Sequence, residues 1–530
     1  MFALSPVFRC GRRIPSHENG SDRRSTGRRG WERWTALDEK KKIRGGHARS
    51  VDMTYRRKKV FFIITGVIIL VVCAIFLALL LNIQAFKPRI EAAASGALGM
   101  EIRIKGRLGI DLFPGFGISL RNVSVQKKGA DVVIVEKMKI GLKLIPLTKH
   151  EVRLSRVGLV RPVFSIVRYK NGMFNFEKPE RTLMERLLTV NRISISEGKL
   201  VYADERSDAR VKVDDFEGAI RNLSYGKTDG AGPFKNISFD GDVRCRTLTV
   251  NNVMLTNVVM RTAAKNGIFD INPISMDMFG GAGKGNIHVD LTGASPHYRV
   301  IAALNRFRVE ELLQSLSPGK SPLKSIEGAA DFSADLTATG KSAEEVKQSL
   351  SGGLSLNGED LMLYRYDIDA LIAKYERSQN FNLVDVGAYF LAGPFGPILT
   401  KSYNFGSLYE ESQGGKGTIR KLVSIWNVNR GTAEAIDVAL ATKKYRIAMK
   451  GGLNFTHDRF DDVTVAVLDK QGCAVYSQKV HGPFRKAKIE KISILKSITG
   501  SVSNAMKDAW KFVGGGCRIF YSGSVAQPEG

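Results

Sequence analysis

The sequence contains few residues of the types that carry redox chemistry or bind metals. Its 530 residues include five cysteines and seven histidines, and no two cysteines form a C-x-x-C pair. Without such a pair, the sequence shows neither a thiol redox motif nor a zinc ribbon. The histidines never form the H-E-x-x-H pattern that places two zinc ligands on one helix face. These absences exclude the common signatures of redox and zinc enzymes.

Other catalytic motifs are missing as well. The segment Gly280–Gly285 superficially resembles a phosphate-binding loop, but it has Gly285 where such a loop needs Ser or Thr. We interpret it as a glycine-rich turn between strands. Asp461 and Asp462 begin an alternating apolar run, where adjacent side chains point to opposite sheet faces. We therefore predict no enzyme: no catalytic, cofactor-binding or metal-binding residues, and no cofactor.

Acidic residues are outnumbered by basic ones. The net charge is +28, but 17 Lys and Arg against six Asp and Glu lie at or before Lys59, which leaves +17 for the rest. This moderate excess favours anionic membrane surfaces. It forms no Arg-rich helix or basic aromatic face, so we expect no nucleic-acid partner.

Residues 1–52 have almost no apolar periodicity. A basic segment of this kind cannot bury enough surface to fold, so we expect a disordered leader. Since Met53 begins a complete start for an anchored protein, residues 1–52 are alternatively the product of a mis-assigned upstream start.

Only one long hydrophobic run is present. Val60 to Leu81 are 22 residues without a charge, preceded by the basic residues 56–59. About 20 apolar residues span a bilayer as a helix, so we predict a single-pass anchor. The basic flank places the N-terminus in the cytoplasm and the bulk of the chain outside it. A cleavable signal peptide is the alternative, although its apolar core is usually only about 7–15 residues.

Three cysteines lie beyond the predicted anchor: Cys245, Cys473 and Cys517. Disulfides persist outside the cytoplasm, and an odd number allows at most one pair here. Cys473 and Cys517 both lie near glycines that predict turns. Cys473 and Cys517 are therefore the candidate pair, and the alternative is that all three thiols stay unpaired.

After the anchor, apolar and polar residues alternate. A short helix is predicted over 85–98, and alternating runs then follow at intervals of roughly 10–15 residues, bounded by Gly and Pro. Such spacing leaves no room for helical crossovers, so the strands should be antiparallel. Further helices are predicted over five segments: 309–316, 343–350, 368–376, 384–391 and 501–512.

These patterns predict a mainly β fold with short helices. A transmembrane helix precedes an elongated antiparallel β-sheet, groove-like or curved, and an α+β C-terminal module. The predicted domains are the leader (1–52), the basic flank and anchor (53–84), a strand-rich extracytoplasmic domain (85–350) and the C-terminal module (351–530). One face of the sheet is either covered or open to a ligand such as acyl chains, and alternation alone does not distinguish these.

Several short motifs stand in a characteristic order behind the anchor. They are Gly99-Met100-Glu101-Ile102, Gly106-Arg107-Leu108, Leu112-Phe113-Pro114, Ile145-Pro146-Leu147, Arg161-Pro162-Val163 and Asn171-Gly172-Met173-Phe174-Asn175-Phe176. In this order the chain resembles the AsmA family of anchored envelope proteins of Gram-negative bacteria. Phe176 stands where the family often has Trp.

The resemblance implies a place and a function. It implies a protein anchored in the inner membrane, with most of its chain in the periplasm, that serves cell-envelope and outer-membrane biogenesis. It further implies a phospholipid or another envelope lipid bound or conducted along an apolar β-groove. The alternative is a closed scaffold that recruits other envelope proteins without binding lipid. Under either hypothesis, charged substitutions at Ile104, Leu108 and Leu142 should have an effect.

Overall fold

The protein is described by a computed structural model that divides into two compact units, Met1–Phe76 and Leu77–Gly530. It describes the following residues: 61–74, 83–111, 117–143, 154–176, 190–225, 235–316, 326–364, 367–378, 415–494 and 518–529.

In the N-terminal unit, residues 61–74 form a helix with exposed apolar side chains such as Phe62 and Leu70. Among the described residues, no helix is both long and apolar enough to cross a membrane. The rest of the predicted anchor, 75–81, and the predicted leader, 1–52, lie outside the described residues. The anchor and the leader therefore stay predictions.

The C-terminal unit is dominated by strands that follow the predicted alternation. The described residues contain 22 strands in one sheet. They are β1 (Glu101–Ile104), β2 (Leu108–Asp111), β3 (Gly117–Lys127), β4 (Ala130–Leu142), β5 (Leu154–Arg168), β6 (Arg192–Asp204), β7 (Ala209–Tyr225), β8 (Ile237–Val250), β9 (Val253–Lys265), β10 (Ile268–Met278), β11 (Gly281–Asp290), β12 (His297–Arg308), β13 (Ile326–Glu327), β14 (Ala329–Thr339), β15 (Ser351–Tyr364), β16 (Lys416–Asn429), β17 (Thr432–Ala441), β18 (Arg446–Asn454), β19 (Arg459–Leu468), β20 (Ala474–Pro483), β21 (Lys488–Ile489) and β22 (Ser493–Ile494).

The strands form a ladder in chain order. β1 and β2 both pair with β3, and each later strand up to β20 pairs with the next, except that β14 follows β12 directly while the short β13 pairs with β15. At the other end, β21 and β22 both pair with β20. The described pairs are antiparallel apart from β5 and β6, which are parallel. The purely antiparallel prediction is wrong at this one place. Residues 169–191 connect these strands, and parallel neighbours need a crossover of a dozen residues or more.

Four α-helices border the sheet within the described residues: α1 (Lys87–Leu98), α2 (Val309–Leu316), α3 (Ala343–Ser349) and α4 (Ile368–Ser378). Short 3₁₀ helices lie at Ile83–Phe86 and Phe484–Lys486. Gly99 ends α1 in the left-handed region at φ 64°, which glycine adopts at little cost. The first four predicted helices are confirmed within two residues at their ends. The predicted helices at 384–391 and 501–512 lie outside the described residues.

Helix α1 covers one end of the sheet. Ile83, Ile90 and Leu98 pack on an apolar cluster from β1 to β5 that includes Ile104 and Leu120. Side chains of the helix also bind the first strand, because Glu91 Oε1 accepts a hydrogen bond from the amide of Ile104 at 2.6 Å. The sheet is therefore buried at its N-terminal end.

The other end is covered on both faces. On one face, Ile368 and Ile372 of α4 join a large cluster that runs through β12 to β20 and centres on residues such as Trp426. On the opposite face, Tyr521 and Val525 fill a patch of small residues on β16 to β19.

The sheet continues across residue 350, because β14 pairs with β15 and β15 with β16. The described part of 351–530 is mainly β, with α4 as its one α-helix among the described residues. The predicted boundary near 350 stays a prediction, but the hydrogen-bonded ladder does not stop there.

Candidate functional site

One face of the ladder carries unbroken cross-strand rows of apolar residues. In the central row, each residue stands directly opposite the next across fourteen strands, β2 to β16 without β13. Its members are Leu108, Leu120, Met138, Leu159, Ile195, Gly218, Val243, Met260, Ile274, Gly285, Ala302, Ala334, Leu354 and Trp426. We call the face that contains this row the apolar face.

A second row runs beside the first on the same fourteen strands. Its members are Ile110, Ile118, Ile140, Val157, Ile193, Ile220, Gly241, Thr262, Ile271, Ile287, Val300, Leu336, Gly352 and Val428. Neither row contains a charged residue, and Thr262 is the one hydroxyl. The apolar strip is therefore continuous from the first strands to the C-terminal core.

A third row follows the strand ends from β3 to β11. Its members are Val125, Val133, Phe164, Leu200, Val213, Leu248, Leu255, Met278 and Gly281. Val125 and Val133 belong to the same cluster as Leu120 and Met138, so this row shares the apolar face. The face is thus several side chains wide.

The apolar face is covered at its ends and partly exposed in the middle. Among the described residues from 160 to 277, none belongs to one of the three apolar clusters. There, Ile195, Val243, Met260 and Ile271 are all partly exposed. By contrast, Leu108 and Trp426, near the two ends of the central row, are 5% and 1% exposed. The middle strands therefore present apolar surface that the described chain buries only in part, since Cys245 and Val258 on the same strands are 6% and 3% exposed.

The same middle strands bend at aligned bulges. Arg161, Glu197, Asp215 and Asn257 adopt positive φ between 47° and 53° on β5, β6, β7 and β9. A bulge bends its strand and increases the local twist. These side chains are polar because they lie on the face opposite the apolar one.

The bulges are joined by polar contacts across the strands. Arg161 binds Glu136 at 2.7 Å and Glu197 at 2.9 Å, and Asp215 pairs with Arg246. The two carboxylates raise the pKa of Arg161 above its ordinary value, first through the hydrogen bond that Arg161 donates to Glu197. Exposed pairs of this kind contribute little stability. They connect neighbouring strands at the level where the sheet bends.

Cys245 lies in the middle of the apolar face. It stands opposite Phe216 and Val258, and it is a free thiol with only 6% exposure. Burial raises its pKa, so the thiol stays protonated and unreactive at neutral pH. We therefore interpret Cys245 as a small apolar residue of the face.

The three residues singled out from the sequence lie on this face but not in its open part. Ile104 and Leu108, at 2% and 5% exposure, are covered by α1. Leu142 is partly buried opposite Leu154, at the end of β4. Alternation correctly assigned them to the apolar side, whereas the position of α1 over the first strands was not predicted.

The candidate chemical motifs have structural roles. The glycine-rich segment is a two-residue turn, Phe279–Gly280, followed by β11, where a Cβ on Gly285 would lie 2.6 Å from the Ile301 carbonyl oxygen. His288 Nδ1 lies 2.6 Å from Asp270 Oδ1 on the exposed surface. Within the described ranges, no group of three or more His, Cys, Asp and Glu could hold a metal ion.

The cysteines agree in part with the prediction. Cys473 is disulfide-bonded, while Cys245 has a free thiol. Cys517 lies outside the described residues, so its pairing with Cys473 stays a prediction. The residues after Cys517 lie close to Cys473, because Ile519 forms a β-bridge with it.

A comparison with models of protein families assigns this chain to a family. The model of the AsmA family matches residues 53–246 and 234–380. The chain belongs to the AsmA family. The AsmA match begins ahead of the predicted anchor and includes α1, the open middle strands and α4. No curated protein and no solved structure shows a significant match to the chain.

Proposed function

We propose that this AsmA-family protein binds phospholipid by laying acyl chains on the open middle of its apolar face. One observation carries the proposal: rows of apolar residues without a charge cross the middle strands and stay partly exposed there. A soluble sheet with such a face needs either a cover or a ligand. Acyl chains supply methylenes that bury against it, while headgroups stay in water.

The energetics require no nucleotide or metal. Each methylene kept out of water contributes about 0.8 kcal/mol, so an acyl chain that leaves a bilayer keeps this stabilisation wherever the central row covers it. The central row and the second row run side by side across the same fourteen strands, so one acyl chain can shift along either row without meeting a charge. This arrangement suits conduction of lipid along the face as well as binding.

We further propose that the protein is anchored in the inner membrane, with the sheet in the periplasm, and serves cell-envelope and outer-membrane biogenesis. The charge-free run from Val60 to Leu81 and its basic flank support the anchor. The disulfide at Cys473 supports an oxidising compartment. Family membership is consistent with an envelope function.

The scaffold alternative has support at the C-terminal end. There, α4 covers one face and Tyr521 covers the other, so strands β16 to β19 leave no apolar face for lipid. A recruiting function for other envelope proteins would therefore reside in this closed part. It does not account for the partly exposed rows on β5 to β10.

The proposal is tested by lipid analysis of the purified C-terminal unit, residues 77–530. A fragment that starts at residue 98 would lack α1 and expose the cluster around Ile104. The fragment is produced in a bacterial periplasm, passed through gel filtration without detergent, and extracted for mass spectrometry. We expect at least about one phospholipid bound per protein molecule. A lipid-free, monodisperse and stable fragment would overturn the proposal and leave the scaffold.

A further inference from the structure

A tight hairpin projects from the end of β5. We call residues 167–176 the tip hairpin. Gly172 adopts φ 84°, and its amide donates to the carbonyl of Tyr169 at 2.8 Å. Asn175 clamps the returning segment to β5: its side chain accepts from the Val167 amide at 3.0 Å and donates to the Ser165 carbonyl at 2.8 Å. The hairpin is therefore a preorganised structure.

This ordered turn exposes large apolar side chains. Met173, Tyr169 and Phe174 are 64%, 42% and 37% exposed. Lys170 at the tip is also exposed, and it has no acidic partner among the residues that the structure describes. Apolar and aromatic groups beside a lysine are the combination found where proteins contact the interfacial region of a bilayer.

The tip hairpin extends the apolar face beyond the sheet. Phe174 forms a β-bridge with Arg168, two residues from Ile166, and the rings of Phe174 and Phe176 lie 5.0 Å apart. Phe164, Ile166, Arg168 and Phe174 therefore lie on one side of the chain in succession, and the ring of Phe176 lies beside that of Phe174. Between the hairpin and the third row, an acyl chain would pass one ion pair on this side, Arg168 with Asp204 at 3.3 Å, in which the two charges neutralise each other.

The size of the exposed patch favours a bilayer over a protein partner. With about 150–250 Å² for each full side chain, the three exposed groups present roughly 300 Å². A stable protein interface buries about 800 Å² on each partner. A bilayer needs less, because a chain anchored as predicted already has a high effective concentration at the membrane.

We propose that the tip hairpin inserts Tyr169, Met173 and Phe174 into the interfacial region of a phospholipid bilayer and is the place where acyl chains pass between that bilayer and the apolar face. Lys170 lies at the level of the headgroup phosphates. This inference rests on the proposed function for the passage of lipid, whereas the contact with the bilayer stands on the hairpin alone.

The test places a photo-crosslinking amino acid, p-benzoyl-phenylalanine, in the full chain in membranes of the producing bacterium. One variant carries it at Met173. The control carries it at Met254, a methionine of similar exposure (58%) at the same end of the strands, but on the opposite sheet face. A third variant carries it at Phe269 of the apolar face, more than 90 residues from the hairpin in sequence.

We expect phospholipid adducts at position 173 in a yield on the order of tenfold above position 254. Adducts with protein alone, no adduct at 173, or equal yields at 173 and 254 would each overturn the hairpin proposal. The readout at 269 keeps the two proposals apart: lipid at 269 but not at 173 leaves the apolar face as a lipid site without this hairpin. Lipid at 173 but not at 269 supports bilayer contact and contradicts the proposed function.

The route is tested by adding Met173→Asp to the chain that carries the crosslinker at 269. If acyl chains enter over the hairpin, lipid adducts at 269 should fall by roughly tenfold, while adducts in a chain with Met254→Asp stay unchanged. An unchanged yield with Met173→Asp would overturn the route.

Discussion

Two adjacent residues of β6 provide the sharpest test of the apolar face. Leu200 belongs to the third row, opposite Phe164 and Val213. Val201 points to the other face, opposite Lys212, and is 45% exposed. Both are aliphatic residues of one strand, so Leu200→Asp and Val201→Asp differ mainly in the face that receives the carboxylate.

The expected effects on folding are modest. Full burial of a leucine side chain contributes about 1.5–3 kcal/mol, and Leu200 is only partly buried, so Leu200→Asp should lower the free energy of unfolding by about 1–2 kcal/mol. That is small against the roughly 5–15 kcal/mol typical of a folded domain. Val201→Asp should change it by less than about 0.5 kcal/mol, because the new carboxylate faces Lys212.

The expected effect on lipid is larger and depends on the face. A carboxylate among acyl chains keeps its water and so excludes about three methylenes at about 0.8 kcal/mol each. The loss of about 2.4 kcal/mol corresponds to roughly 50-fold weaker binding. Val201→Asp should leave lipid binding unchanged.

The assay measures lipid per protein by mass spectrometry, together with thermal unfolding of the same samples. We expect Leu200→Asp to be folded and nearly free of lipid, and Val201→Asp to match the parent protein. If Leu200→Asp retains its lipid while folded, the apolar face is not the lipid site. Loss of lipid in equal measure from both variants would also refute the reasoning, because it would not depend on the face.

Four further predictions concern the covered ends, the buried Tyr521 and the disulfide. Ile104→Asp places a charge beneath α1, where the side chain is 2% exposed, and should cost about 3–5 kcal/mol; a soluble variant with unchanged thermal unfolding would contradict the assigned core. Tyr521→Phe removes a phenol that donates to Asp437 and accepts from the Val525 amide at 3.0 Å. The C-terminal segment should therefore be cleaved sooner in limited proteolysis. Cleavage at the parent rate would show that these two hydrogen bonds do not hold the segment in place. Burial, and then the hydrogen bond to Asp437, raises the pKa of Tyr521 to about 12 from an ordinary value of 10. The contribution of the neutral phenol to the free energy of unfolding should therefore be complete below pH 10 and fall as the pH rises towards 12. Unfolding of the parent protein and of Tyr521→Phe over a series of pH values checks this. Peptide mapping without reductant should yield a Cys473–Cys517 peptide and a Cys245 that reacts with alkylating reagents only after unfolding; a free Cys473 would contradict the structure.

The alternation in the sequence predicted the strands because half of each strand faces apolar surroundings. Alternating apolar residues such as Ile193 and Ile195 of β6, or Ile287 and Val289 of β11, show this pattern. The short helices could also be predicted from the sequence. Helix α2 repeats its apolar residues at helical spacing, and Ser342 caps α3 by accepting a hydrogen bond from the Glu345 amide.

Bulges limited what alternation could reveal. Leu159 and Phe164 are five residues apart, so strict alternation would place them on opposite faces. The extra residue at Arg161, with φ 47°, returns Phe164 to the apolar side. A signal was present in the sequence, because the strict alternation of Val157 and Leu159 breaks at the adjacent pair Arg161-Pro162. Nothing in one strand, however, indicates that its neighbours bulge at the same level.

The sequence could not predict that the two ends of the apolar face are covered, for a different reason. A covered strand and an open strand both require one apolar side, so Leu108 and Ile195 give the same pattern although only Leu108 is buried. The difference depends on α1 and α4, which reach the sheet through contacts between distant parts of the chain. The tip hairpin was likewise visible only as a family motif, with no sign that Met173 is exposed.

The partly exposed middle of the apolar face lies away from both edges of the sheet, and the risk of aggregation explains this position. A sheet edge exposes unpaired backbone groups, and an exposed apolar face promotes association, so an apolar face that reached a long free edge would favour aggregation. Here the first strands, β1 and β2, have four residues each and lie beneath α1, while β20 is followed by two-residue strands β21 and β22. Short strands protect an edge from further pairing. The partly exposed apolar rows therefore lie between two ends whose short strands disfavour pairing with another sheet, while the proposed lipid would reach the face from the strand ends. This separation makes an open face compatible with a stable protein. If lipid binds as proposed, removal of α1 should cause self-association before it lowers lipid binding on β6 to β9.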